Sequence, residues 1–240
     1  VESRDKMRGK LIVLEGTDCS GKETQANKLV ERLNEMGVIS QKLSFPNYET
    51  PTGKIIGSCY LGKEELCSEY LKNSNGWFEE GASNVDGMVS SLYYAADRKY
   101  NILECERLLA SGVNVILDRY TFSNMAHQGG KISDQRERFQ FFKKIETLEF
   151  DILELPKPDL VILLYVPYQV TLSLQEKREK NTSLDQNEKD KKHLKRAEQT
   201  YLELRALYHF KMVECAYQLE MRKIEDIHEE VFEIVSEFLG

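Results

Sequence analysis

Apolar residues along this chain fall into short continuous runs separated by longer stretches with helical spacing. Leu11-Ile12-Val13-Leu14 is an unbroken apolar run, the pattern of a strand covered on both faces. Between about 22 and 36, Ala26, Leu29, Val30 and Leu33 recur at helical spacing, and Gly37 predicts the stop. A weaker strand is predicted over 38–45, closed by Pro46, and a short helix over 53–61. A long helix is predicted over 87–109, a strand over 113–117 and a further helix near 133–148. The most apolar strand lies at 160–165, introduced by Pro156-Lys157-Pro158, and helix is expected over 167–179. Helix resumes over about 190–208, a short strand follows near 211–215, and an amphipathic helix begins near 224 with Ile227, Val231, Ile234, Val235 and Phe238.

Two stretches break this rhythm. Residues 62–86 carry Asn73-Ser74-Asn75-Gly76 and further glycines, and read as an irregular insertion. Residues 180–192 are dense in charge and nearly free of apolar side chains. Such a run is usually a solvated loop; the sharper reading is a lid over phosphates, spanning about 177–192. Alternation of β and α predicts a parallel sheet with helices on both faces. With no internal repeat and no linker, a single domain is expected over residues 1–240.

Composition narrows the partners. The chain has 240 residues, a formal net charge of −7, 41% hydrophobic and 30% charged residues, the profile of a globular protein. An acidic balance argues against a general electrostatic grip on nucleic acid or an anionic membrane. The longest apolar stretch, 160–166, is too short to span a bilayer, and the charged first ten residues lack the apolar core of a secretory signal. A cytoplasmic protein is expected. Five scattered cysteines without a C-x-x-C pair read as reduced thiols, and the four dispersed histidines do not suggest a metal site.

The strongest chemical signal is Gly16-Thr17-Asp18-Cys19-Ser20-Gly21-Lys22, a G-x-x-x-x-G-K loop directly after the first strand. Its glycines let backbone N–H groups wrap a polyphosphate, the next helix adds its positive end, and Lys22 reaches the β/γ-phosphates. Glu23 stands where a Ser or Thr hydroxyl usually ligates Mg²⁺, and Thr24 comes one place later. A carboxylate there is repelled by bound phosphates unless it touches the metal or swings outward. Asp118-Arg119-Tyr120 ends another apolar strand, where a carboxylate meets Mg²⁺ directly or through water and an arginine meets phosphate. Tyr94 and Arg98 sit at i and i+4 on the long helix, an aromatic and a guanidinium on one face.

Taken together, these stretches resemble the thymidylate kinases, P-loop kinases of nucleoside monophosphates. The likeness runs through Leu11–Asp18, Gly21–Gln25, Phe45-Pro46, Leu92–Arg98, Asp118–Asn124, Leu155–Leu160 and Ile224–His228, in the family's order. It is weakest over 62–86 and about 131–152. The resemblance implies a P-loop NTPase three-layer sandwich with a five-stranded parallel sheet and a short lid. It also implies ATP with Mg²⁺ as donor, dTMP as acceptor, and a helix-packed homodimer.

Carried over by residue, Gly16, Thr17, Asp18, Cys19, Ser20, Gly21, Lys22, Glu23 and Thr24 would form the ATP loop. Lys22, Asp18 and Arg119 would be catalytic, and Asp118 would meet Mg²⁺. Phe45, Tyr48, Tyr94, Arg98, Arg119, Ser123, His127 and Gln128 would surround the acceptor. With Cys19 after Asp18, the chain resembles the subgroup that draws a catalytic cation from the lid, Arg178 first, then Lys177 and Lys180. Three positions depart from the family: Glu23, Tyr48 in place of a phosphate-binding arginine, and His127 in place of the Tyr or Phe that helps exclude a ribose 2′-hydroxyl. The competing readings are a deoxynucleoside kinase on the same scaffold and a nucleotide-binding homologue weakened in catalysis by Glu23.

Overall fold

In the computed structural model, which describes residues 8–63, 66, 76–179 and 186–240, the run Leu11-Ile12-Val13-Leu14 lies in the middle strand of a sheet. The strands are β1 (Leu11–Gly16), β2 (Ser40–Ser44), β3 (Asn114–Asp118), β4 (Leu160–Tyr165) and β5 (Lys211–Glu214). All pair in parallel, in the order β2-β3-β1-β4-β5. A short antiparallel hairpin, β6 (Ala216–Tyr217) and β7 (Glu220–Met221), follows.

The first helices are α1 (Lys22–Glu35), α2 (Pro51–Lys54), α3 (Gly87–Ala110) and α4 (Thr121–Gly129). They are followed by α5 (Gln135–Glu146), α6 (Tyr168–Glu179), α7 (Gln186–Lys189), α8 (Lys191–Tyr208) and α9 (Ile224–Leu239). Successive side chains of a strand point to opposite faces, so an all-apolar β1 feeds two cores. Ile12 and Leu14 pack with Ala26, Leu29 and Leu33 of α1 and with Ile227, Val231 and Val235 of α9. Leu11 and Val13 pack with Ile102, Cys105, Leu108 and Leu109 of α3 on the other face. A third cluster joins Leu163 to α4, α5 and α8. This is the three-layer α/β arrangement that the alternation of elements predicts.

The sheet register sets up the site. Leu14 of β1 lies opposite Asp118 of β3, so the loop after Gly16 and the carboxylate of Asp118 emerge from neighbouring strand ends. Ligands of open parallel sheets bind at such carboxyl ends.

Helix α4, the short helix α7 and the β6–β7 hairpin have no counterpart in the sequence pattern. Helix α4 spans nine residues and is buried along almost its whole length; its polar positions Ser123, Asn124, His127 and Gln128 turn to the crevice instead of to solvent. The β6–β7 hairpin turns through Gln218 and Leu219 at φ +50° and +64°, without the Gly or Asn that usually signals such a turn. The helix expected over 53–61 is α2 continued by a π-helical turn, Ile55–Tyr60, and α5 likewise runs into a π-helical turn, Thr147–Ile152.

Within the stretch read as an insertion, the described residues include a short 3-10 turn, Ala82–Asn84, and residues 64, 65 and 67–75 lie outside the described ones. Ala82 and Val85 join Ile56, Tyr60 and Leu61 in a small core that Tyr48, Phe78, Tyr93 and Tyr94 flank. Lys131 ties this core down, its Nζ donating to the carbonyls of Ala82 at 3.0 Å and Val85 at 2.7 Å. Of the stretch read as a lid, α6 and α7 are described, residues 180–185 are not, and Lys180 falls among the latter. Among the described residues no helix is long and apolar enough to cross a membrane.

Candidate active site

The loop after β1 folds as a cradle. A side chain at Gly16 would lie 2.4 Å from the Leu164 carbonyl, so β4 approaches too closely for any Cβ. Gly21 caps α1 at φ +78°, where an L side chain is strained. Thr17 Oγ1 donates to the Val166 carbonyl at 3.2 Å and pins the loop to the end of β4. Lys22, 6% exposed, donates from Nζ to the carbonyls of Gly16 (3.0 Å) and Thr17 (2.9 Å) and to Ser20 Oγ (3.2 Å). Burial, reinforced by Arg119, pushes its ammonium down to about 8. Cys19 sits at φ +60° and forms no disulfide among the described residues. Glu23 and Thr24 lie exposed in the first turn of α1, and the Glu23 carboxylate stands 3.5 Å from Lys42 Nζ on β2. That contact holds Glu23 at the mouth of the crevice.

Beside the loop stands a buried polar cluster. Arg119, at φ +67°, donates from Nη2 to Asp18 Oδ1 at 2.7 Å and from Nη1 to Ser123 Oγ at 3.3 Å. Burial acts to raise the Asp18 carboxyl, but Arg119 and the neighbouring cations outweigh it and hold Asp18 well below the usual range. Glu15, fully buried at the end of β1, orders this corner. Its Oε1 accepts from the backbone N–H groups of Tyr120 (2.9 Å) and Ser123 (3.0 Å), and thereby caps α4. Its Oε2 accepts from Ser123 Oγ (2.5 Å) and Tyr201 Oη (3.2 Å).

The crevice itself has a volume of about 320 Å³ and joins these groups to an acceptor wall. Phe45, Tyr48, Tyr94, Arg98, Arg119, Ser123, His127 and Gln128 all line it, together with Asp18, Glu23 and Asp118. Tyr94 stands edge-on to Tyr60, with ring centroids 5.8 Å apart. Arg98 is 2% exposed and donates to Glu149 from Nε at 2.6 Å and Nη2 at 2.5 Å. Glu149 also accepts from Thr121 Oγ1 (2.7 Å) and Asn124 Nδ2 (3.2 Å). The guanidinium is thus oriented by a carboxylate from the π-helical turn.

Asp97, one residue earlier, anchors the loop after β2, accepting from Asn47 N–H at 3.0 Å and Thr52 Oγ1 at 2.8 Å. Two buried amide oxygens on this wall, Asn124 Oδ1 and Gln128 Oε1, have no partner among the described residues. Asn187 and Glu188 of α7 complete the lining, and Lys63 places its ammonium 4.7 Å from the centre of the Tyr48 ring.

The donor set suits a hard cation that arrives with phosphates. Asp118 Oδ1 is buried without a partner among the described residues and lies beside the cradle. No group of three or more His, Cys, Asp or Glu among the described residues would hold a metal alone. Mg²⁺ keeps its waters and binds through one or two carboxylates plus substrate phosphates, which these residues fit.

Comparison with known proteins agrees with this geometry. The family model described as thymidylate kinase matches residues 14–231. The chain belongs to the thymidylate kinase family. The thymidylate kinase of Plasmodium falciparum (isolate 3D7) is 36% identical over 163 residues, covering 68% of this chain and 64% of the relative. That of Homo sapiens is 35% identical over 157 residues, 65% of this chain and 61% of the relative. The chain therefore spans less than two thirds of the length of these two relatives. The thymidylate kinase of Schizosaccharomyces pombe is 29% identical over 230 residues, 95% of this chain and 92% of that one. Among solved structures, a thymidylate kinase from Candida albicans matches at a TM-score of 0.66 and 25% identity, covering 96% of this chain and 92% of that chain.

Of the predicted residues, Asp18, Glu23, Asp118 and the eight of the acceptor wall line one crevice, whereas Gly16, Thr17, Cys19, Ser20, Gly21, Lys22 and Thr24 stand in the adjoining loop and first turn of α1 without lining it. Arg178 belongs to α6, and its side chain lies outside the described residues. Lys177 is exposed on the same helix. Sequence reasoning missed Glu15, Asp97, Asn124, Glu149 and Tyr201. Glu15 and Glu149 carry one legible signal, a carboxylate set in a run of apolar residues, but nothing local names their partners.

Proposed function

We propose that this chain transfers the γ-phosphoryl group of ATP to the phosphate of a pyrimidine deoxynucleoside monophosphate, converting dTMP to dTDP. One observation carries the reading: a single crevice joins Asp18, Asp118 and Arg119, beside the phosphate loop, to a wall with an aromatic ring and two unpartnered amide oxygens. The amide oxygens of Asn124 and Gln128 suit the N–H edge of a pyrimidine, and Tyr94 offers a ring beside it.

An oxygen of the acceptor phosphate attacks the γ-phosphorus in line, the bond to the β,γ-bridging oxygen breaks, and ADP leaves with the electron pair. That oxygen is already anionic near neutral pH, since a phosphate monoester has a second pKa of about 6. No general base is needed, so catalysis reduces to alignment and charge neutralisation. Lys22 leaves its carbonyl partners for the β/γ-phosphates. Arg119, held by Asp18, faces the transferring group. Asp118 is the residue that would hold Mg²⁺, directly or through water, and the ion would supply charge neutralisation at the phosphates. Arg178 is the proposed lid cation, in a lid of about residues 177–192 that excludes water.

Glu49, the carboxylate nearest Phe45-Pro46 in sequence, is exposed and does not line the crevice. Membership of the thymidylate kinase family also speaks against a sugar-hydroxyl kinase, which wants a base beside its acceptor. Helix α3 leaves a stripe of Val89, Leu92, Tyr100 and Leu103 exposed at 41%, 51%, 58% and 72%, which supports a homodimer packed through α3. The four described cysteines form no disulfide among the described residues, which suits a cytoplasmic enzyme.

The test is Lys22→Ala. The folded variant loses transfer to dTMP by at least about a hundredfold; full transfer by the variant overturns the reading.

A further inference from the structure

Against the acceptor wall lies a pair of imidazoles that the reaction does not explain. His127 Nδ1 stands 3.1 Å from His193 Nε2, with the ring planes 21° apart. His127 lines the crevice on α4, and it also lines a small cavity behind the loop with Thr17 and Asp18. It therefore stands near the phosphoryl end, on the same helix as the amides of Asn124 and Gln128. His193 is 5% exposed, and its backbone is held in the first turn of α8, its N–H donating to Asp190 Oδ1 at 3.0 Å. Asp190 directly follows α7, whose Asn187 and Glu188 line the crevice.

Burial lowers His127 to about 3 and His193 to about 4, with Asp18, Lys22 and Arg119 facing the first ring and Lys131, Asp190, Asp18 and Arg196 facing the second. Both rings are neutral at pH 7. A neutral imidazole carries one N–H, so the proton shared across the 3.1 Å contact also decides whether the outer nitrogen of His127 donates or accepts.

We propose that His193 is a positioning residue for the acceptor: it fixes the ring plane and tautomer of His127, which meets the sugar of the bound monophosphate. The pair also ties the α7–α8 end of the lid stretch to the acceptor wall. This rests on the kinase reading above. A sugar joins base to phosphate, and His127 stands on the helix that carries the base-facing amides, beside the Asp18–Arg119 pair at the phosphoryl end.

The test has two readouts. First, ¹⁵N NMR of the ring nitrogens in the free wild-type protein is expected to show a single tautomer for His127. An averaged tautomer there overturns the proposal, whatever the variants do. Second, His193→Phe keeps the aromatic bulk but removes both nitrogens. It is expected to raise KM for dTMP about tenfold, the scale of one lost buried hydrogen bond, with KM for ATP unchanged. His193→Gln, which keeps a side-chain hydrogen bond, is expected to restore most of the loss. Unchanged KM for dTMP in His193→Phe, or equal rises for both substrates, sinks the proposal. If the wild-type enzyme does not transfer to dTMP, the kinase reading fails by itself, while the NMR readout still decides the histidine pair.

Discussion

Arg98 and Glu149 show how a site residue is held rather than merely present. Their ion pair is bidentate and buried, with Thr121 and Asn124 completing the carboxylate's partners. Removing one partner of such a pair leaves the other charge uncompensated and costs about 3–5 kcal/mol. Glu149→Ala is therefore expected to lose that much in urea unfolding, and a loss below about 1 kcal/mol would contradict the assignment.

Lys22 makes a second residue-scale prediction. Its protonated form binds phosphate, and burial has lowered it to about 8 in the free protein. Nucleotide binding then takes up a proton above that pH, so Kd for ATP rises as pH increases from 8, by up to about tenfold per unit. Calorimetry across pH 7–9.5 checks this, and a flat Kd would refute it. Lys22, Asp18, Asp118 and Arg119 were legible because spacing after a strand specifies them. Glu15 and Glu149 were not, because each acts on residues distant in sequence: Glu15 on the start of α4 and on Tyr201, and Glu149 on Arg98 and Thr121.

At the scale of elements, the sheet strands and the long helices follow from periodicity, since each buries one stripe or one continuous run. Helix α4 escaped that logic. It is covered by α3, α5 and α8 and spans only nine residues, so its one polar stripe turns to the crevice instead of to solvent, and its first turn is capped by Glu15 from another element instead of by a local Ser, Thr, Asp or Asn. This hidden helix supplies Ser123, Asn124, His127 and Gln128 to the crevice. The most exposed part of the structure's longest helix carries the opposite lesson. Leu103, 72% exposed on α3, has no reason to face water in a monomer. Leu103→Glu is expected to shift the protein from dimer to monomer in analytical ultracentrifugation without unfolding it; a wild-type monomer contradicts the proposed homodimer.

For the whole molecule, a net charge of −7 argued against gripping a polyanion, yet the proposed reaction handles two phosphorylated substrates. The crevice does not resolve this with surplus positive charge. Its described lining carries the carboxylates of Asp18, Glu23, Asp118 and Glu188 against the cations of Lys63, Arg98 and Arg119, and both arginines are already paired. Phosphate binding must then lean on backbone N–H groups of the loop, on Lys22 released from its carbonyls, and on the metal that Asp118 awaits. Charge composition argued only against a general grip on nucleic acid or membrane: it describes the surface, whereas the proposed recognition is local and directional.

The central claim is a phosphoryl transfer to a phosphate, not to a sugar hydroxyl. ADP release from ATP with Mg²⁺, measured across thymidine, deoxyuridine, dTMP, dUMP, UMP and dCMP, tests it most directly. The account predicts the highest kcat/KM for dTMP and no release above background with either nucleoside. Phosphorylation of thymidine, or nucleotide binding without release for every acceptor, would contradict it.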